Sequence, residues 1–133
     1  MHKSHMTCFW DSILASLNGE DARILGINTM HKNNVIFIQK LKEKNKLVHV
    51  LWQGNKLKDQ EKKEHFEAVK SYNINGIKNG HLTSICDSFL LLICDLLSVN
   101  IEHKYLNNTI QYQTQKKCRK ILKFKSNNGH FSR

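Results

Sequence analysis

Apolar residues recur at helical spacing up to about residue 98 of this chain and at strand spacing after it. In residues 8–17, CFWDSILASL, the apolar Phe9, Ile13 and Leu17 fall every four residues on one face, which predicts a helix that Asn18-Gly19 ends. Residues 1–7 read as a polar lead and residues 20–26 as a short helical turn. Asn33 or Asn34 can cap a helix running to about Lys44, with Val35, Ile36, Ile38 and Leu41 predicted inward. LVHVLW, residues 47–52, fits a strand or a short buried helix, and the pattern does not separate the two. Residues 59–72 form a charged helix with Phe66 and Val69 as its apolar stripe, and the Asn/Gly-rich residues 71–80 form a loop. The strongest segment is residues 83–98, capped by Thr83 or Ser84, with Asp87 in its first turn, where a helix dipole favours an acid. It is apolar nearly all round, so it is predicted to be central and buried. Three strands are predicted over residues 99–105, 109–114 and 120–125, the first two joined by the turn Leu106-Asn107-Asn108. Asn127-Asn128-Gly129 signals a further turn, after which His130-Phe131 starts a last strand.

Length and composition narrow the class. At 133 residues, 40% hydrophobic and 24% charged, the chain has the composition of one globular domain with a core of its own. No apolar run approaches the ~18 residues needed to cross a bilayer, and residues 1–15 hold no signal-peptide stretch, so no membrane association and a cytoplasmic location are expected. Cys8, Cys86, Cys94 and Cys118 include no CxxC pair and read as free thiols. The eight histidines lack HExxH or CxxC company, which argues against a metal site. The net charge of +10 makes a polyanion such as nucleic acid a candidate partner.

A thiol attacks only as the thiolate, so a catalytic cysteine needs its pKa lowered. The start of a helix does this through free N–H groups and the dipole, and a neighbouring imidazolium does it further. Cys8 stands where the first apolar helix begins, with Phe9 and Trp10 to anchor that helix in the core. Taken alone, Cys8 reads more readily as a small buried hydrophobe, and its place at a helix start followed by aromatics shifts that balance. His130, between a glycine turn and an aromatic, is the matching candidate base, against the plain reading of an exposed terminal histidine.

Three blocks then carry a resemblance. Cys8-Phe9-Trp10-Asp11-Ser12-Ile13, residues 80–105 (GHLTSICDSFLLLICDLLSVNIEHKY) and residues 120–131 (KILKFKSNNGHF) follow the order of an ovarian-tumour (OTU) type cysteine protease, within the papain-like group, in the minimal form of viral members. The resemblance implies an α+β fold, papain-like/OTU-like, spanning residues 1–133 as a single domain. In it the nucleophile helix and a central buried helix pack on a small, mostly antiparallel sheet. It implies hydrolysis of peptide or isopeptide bonds after a C-terminal Gly-Gly, a deubiquitinase acting through Cys8 as nucleophile and His130 as base, without a cofactor. The family's Asp-Gly-Asn before the cysteine is replaced, with His5 at the Asp position and Met6-Thr7 following. The family's third residue falls on Ser132, which leaves a Cys8–His130 dyad with Ser132 as candidate orienting residue. Backbone amides of Cys8, Thr7 and His5 would form the oxyanion site, the upstream ones from a loop over residues 4–7. Trp10, Phe131, Gly80 and His81 would line the groove for the glycines. The implied partner is ubiquitin or a ubiquitin-like protein met by a monomer, in the host cytoplasm if the chain is viral.

Two alternatives stand beside this. A papain-like viral protease can process its own precursor, with the end near Arg133 as a product. A basic module without catalysis can bind nucleic acid. For the latter, the run Lys116, Lys117, Arg119, Lys120, Lys123 and Lys125 is the natural surface, although lysines on a solvated strand edge explain it as well. Cys86 and Cys94, eight apart on the central helix, read as core packing, and Trp52 as a buried anchor.

Overall fold

A computed structural model describes residues 5–27, 33–74, 84–127 and 130–132. In chain order they form α1 (His5–Ser16), α2 (Gly19–Leu25), α3 (Asn34–Glu43), β1 (Val50–Trp52), β2 (Asn55–Lys56), α4 (Asp59–Ser71), α5 (Ser84–Leu97), β3 (Asn100–Tyr105), β4 (Asn108–Thr114), β5 (Ile121–Asn127) and β6 (His130–Ser132). The strands make one sheet in the order β2-β1-β4-β3-β5-β6. All neighbours are antiparallel except β3 and β5, which run parallel. This is a mixed α+β arrangement.

Local chemistry accounts for most element ends. The side-chain oxygen of Asn33 accepts from the Val35 and Ile36 amides and starts α3. Asn18 and Asp21 exchange side-chain and backbone hydrogen bonds at the start of α2, and Gly26 closes it at φ 73°, a conformation that favours glycine. LVHVLW resolves as extended: Gln53 and Gly54, at φ 54° and 79°, turn β1 back on β2, a hairpin the sequence reading lacked.

Strand alternation gives the sheet two unlike faces. Ile101, His103, Tyr112, Leu122 and Phe124 are buried against the helices, while Lys104, Gln111, Lys123 and Lys125 between them are exposed. Across the covered face lies α5, whose Phe89 to Cys94 and Leu97 are all buried, as its unbroken apolar pattern predicts. It packs on β1, β3 and β4 and is flanked by α2 and α4, while α1 packs along β6 and against α3.

Three expectations need correction. In α3 the buried residues are Phe37, Ile38 and Leu41, while Val35 and Ile36 are 41% and 43% exposed. At 100° per residue Phe37, Ile38 and Leu41 share one stripe, and Val35 and Ile36 fall outside it. Lys123 and Lys125 do not lie on a sheet edge, because β5 is an inner strand between β3 and β6. Trp52 is half-buried, its ring against those of His65 and Tyr112.

Candidate functional site

The helix that carries Cys8 and the strand that carries His130 pack directly on each other. The covalent chain separates them by almost its full length, so this contact is a product of folding alone. The interior side of α1 is held by Trp10, whose ring meets Phe9, Phe37 and Phe89 edge to face at centroid distances of 4.8, 5.7 and 4.7 Å. Its indole N–H donates to the Tyr72 hydroxyl at 3.4 Å. Phe9, Trp10 and Ile13 are fully buried, so α1 is fixed against the core and not free to rotate.

The chain is already helical at His5, three residues ahead of the predicted start, so Cys8 lies inside α1 and not at its first residue. His5 and Thr7 therefore belong to α1 and not to a preceding loop. The residues expected to form the oxyanion site, His5, Thr7 and Cys8, thus all belong to the described part of α1. Trp10 lines no groove, since its ring is enclosed on every side.

β6 is the terminal strand of the sheet, and its register on β5 pairs Asn127 with His130, Ser126 with Phe131 and Lys125 with Ser132. Phe131 shares the strand phase of the buried Leu122 and Phe124. His130 and Ser132 share the phase of Lys123 and Lys125. Ser132 is half-buried. The side chains of His5, Thr7, Cys8, His130 and Phe131 lie outside the described residues, as do Gly80 and His81 altogether.

One turn on from Cys8, Asp11 accepts a hydrogen bond from the side-chain NH2 of Asn34 at 3.0 Å. With Leu14, Ala15, Asn33 and Asn34 it lines an open cleft of about 540 Å³ between α1 and the start of α3. The sequence reading passed over this cleft. Asp11 stood in the nucleophile block, but no pattern along the chain said that α3 would begin beside it.

Other polar groups are tied into the fold. Asp21 and Asp95 are fully enclosed. Arg119 donates to Asp21 at 3.0 Å, and Lys120 and the Asn18 amide complete its shell. Asp95 takes the His49 amide at 2.8 Å, Lys116 at 3.0 Å and Lys46 at 3.4 Å. Burial opposes ionisation of both, but these donors outweigh it and hold both carboxyls below the usual carboxylate range. Half of the basic run is thereby held in ion pairs, with Arg119 and Lys120 partly covered and Lys116 still exposed. Between α4, α5 and the sheet, His65 Nδ1 lies 2.7 Å from the Ser88 hydroxyl, and the Tyr112 hydroxyl donates to Asp87. Burial raises the Asp87 carboxyl against the pull of Tyr112 and His65, and burial lowers His65. Because Ser88 is only 2% exposed, this pair bridges helices and offers no nucleophile to a substrate. Burial pushes the Cys94 thiol up to about 12, which makes it inert, while Cys118 is exposed. Among the described residues no cluster of three or more metal-ligating side chains occurs, and no helix is long and apolar enough to cross a membrane. Compared with known proteins, the chain matches no family model, no curated protein and no solved structure.

Proposed function

We propose that the protein is a papain-like, OTU-like thiol hydrolase in which Cys8 attacks a carbonyl carbon and His130 takes its proton. What supports the reading is the packing of α1 on β6, the two elements that carry these residues. The dipole and free amides at the N-terminal end of α1 favour the thiolate and a developing oxyanion. In the reaction the thiolate adds to the carbonyl, and the tetrahedral intermediate expels the amine with a proton from the imidazolium. Water then adds to the thioester, and Cys8 leaves as thiolate. Ser132 is uncharged, so the dyad works without a carboxylate to orient the imidazole, which lowers the rate without abolishing it. The substrate class is a peptide or isopeptide bond after Gly-Gly, as at the tail of ubiquitin. Asp11, in the cleft one turn from Cys8, is suited to a basic residue just upstream of the glycines.

The reading has a geometric requirement: Cys8 Sγ and an imidazole nitrogen of His130 within about 4 Å. The strand phase that His130 shares with Lys125 counts against it, so a crystal structure with the two groups on opposite sides of the sheet overturns it. In solution, a ubiquitin bearing a C-terminal electrophile should form an adduct at Cys8, and Cys8→Ala should lose it. Iodoacetamide at pH 6 should label Cys8 at least tenfold faster than Cys118, and His130→Gln should remove that advantage. Equal labelling of the two thiols sinks the dyad. A fast Cys8 with no ubiquitin adduct keeps the dyad and rejects the substrate.

A further inference from the structure

The helix-free face of the sheet carries a row of like charges that folding does not need. Lys104 on β3 stands directly opposite Lys125 on the parallel neighbour β5, and Lys123 follows one repeat along the same face. The register extends the row to Thr109 on β4 and Ser132 on β6, four strands wide or about 14 Å. Lys104, Thr109, Lys123 and Lys125 are exposed, and together with Glu102 and Phe124 they line a shallow depression of about 260 Å³. The nearest acid is Glu102, 3.9 Å from Lys123 and the limit of an ion pair. Like charges directly opposite on paired strands are destabilising, and nothing in the packing of this face offsets the Lys104–Lys125 pairing. An anion laid across the row would.

We infer that this face is a sequence-independent binding surface for the phosphate backbone of a nucleic acid. The composition of the face decides the occupant. A protein partner calls for an aromatic or aliphatic anchor and is met by few lysines, whereas this face has three exposed lysines with Gln111, Gln113 and Thr109 around the row, no aromatic ring exposed, and a single exposed aliphatic side chain, Ile121, one repeat before Lys123. Nucleic-acid interfaces are polar and strongly positive. Missing aromatics leave no platform for base stacking, so phosphates and not bases are held. Lysines on adjacent strands and two residues apart along one strand, roughly 5 and 7 Å, can meet successive phosphates. The basic loop before β5 does not share this role, because Lys116, Arg119 and Lys120 close on Asp95 and Asp21.

The test is fluorescence anisotropy with a labelled 20-base-pair duplex and a 20-nucleotide single strand between 50 and 200 mM KCl. Three phosphate contacts give a log-affinity slope of about −2.7 on duplex, or roughly 40-fold across that range. The K104Q/K123Q/K125Q variant should lose most of that slope and at least tenfold in affinity at 50 mM. A charge-matched control, K44Q/K63Q/K70Q, removes exposed lysines from the C-cap of α3 and from α4 and should change affinity less than twofold. Equal losses in both variants, or no binding by the unaltered protein at 50 mM, overturn the inference. So does binding confined to anionic vesicles of phosphatidylserine. Thermal melting guards against misfolding, since the sheet variant should melt no lower than the parent. Cys8 labelling is independent of all these readouts, so either reading can fail without the other.

Discussion

Lys116, Arg119 and Lys120 stand a few residues before Lys123 and Lys125 in one basic run, and folding gives the two groups opposite fates. The first three close on Asp21 and Asp95, carboxylates buried at the end of α5 and beneath α2. They also serve the C-terminus of α5, which has no basic residue in its own last turn: Arg119 donates to the Leu97 carbonyl at 2.9 Å and Lys116 to the Asp95 carbonyl at 3.1 Å. The last two stand on the open sheet, where the nearby acid is the partly exposed Glu102, opposite Lys123 and 3.9 Å from it. Charge density along the chain is the same in both. What differs is whether an acid on another element is buried within reach. A buried carboxylate without donors costs several kcal/mol, so it binds its cations far more firmly than an exposed Glu102 can.

The comparison breaks most sharply at the buried acids. Asp21→Ala should lower unfolding free energy by about 2–3 kcal/mol, less than for a fully buried pair because Arg119 and Lys120 can turn to water. Urea unfolding reads this directly. Asp95→Asn should cost about 2 kcal/mol, since the amide keeps a hydrogen bond from the His49 amide but loses two ion pairs. If either substitution costs under 0.5 kcal/mol, the loop of basic residues is no more structural than the sheet row. Acid sharpens the same contrast. With folded-state values below the unfolded one, Asp21 and Asp95 give stability that is present above about pH 4 and is lost as the pH falls further. A melting series from pH 5 down to 2 should fall steeply for the parent and less steeply for Asp21→Ala. At milder pH the histidines act with their own sign. Burial lowers His65 and His103 in the folded state, so stability falls as pH drops through 6.5, and His103→Gln should flatten the melting curve between pH 7.5 and 5.5. The smallest effect belongs to the open face: Lys104→Gln should raise stability by about 0.3 kcal/mol, and more at low salt, by relieving Lys125.

Much of the fold around the candidate site was legible along the chain, because its parts are local. Phe9, Ile13 and Leu17 repeat at helical spacing, Asn33 caps α3, and residues 83–98 announce a buried helix through composition alone. Other features left no local trace. That His5, Met6 and Thr7 are already helical was missed because the polar His5 and Thr7 mask the one apolar residue among them, Met6, which stands at helical spacing before Phe9, Trp10 and Ile13. Trp10 was assigned to a groove because an aromatic beside a nucleophile suits one. Its enclosure by Phe37, Phe89 and Tyr72 depends on where three other elements lie.

By itself the sequence left residues 47–52 open between helix and strand, but it determined most of the helices and the strands after residue 98, which helix is central, and which residues could do thiol chemistry. Those follow from side-chain periodicity, caps and turn residues, which act within a few positions of one another. Only the tertiary structure decided that β3 and β5 run parallel, that α1 lies along β6, and that one basic group is paired with buried acids while the next is left on the open sheet. These outcomes are set by burial and by Coulomb forces between residues far apart in the chain, and both take their value from distance and desolvation, quantities that exist only once the chain has folded.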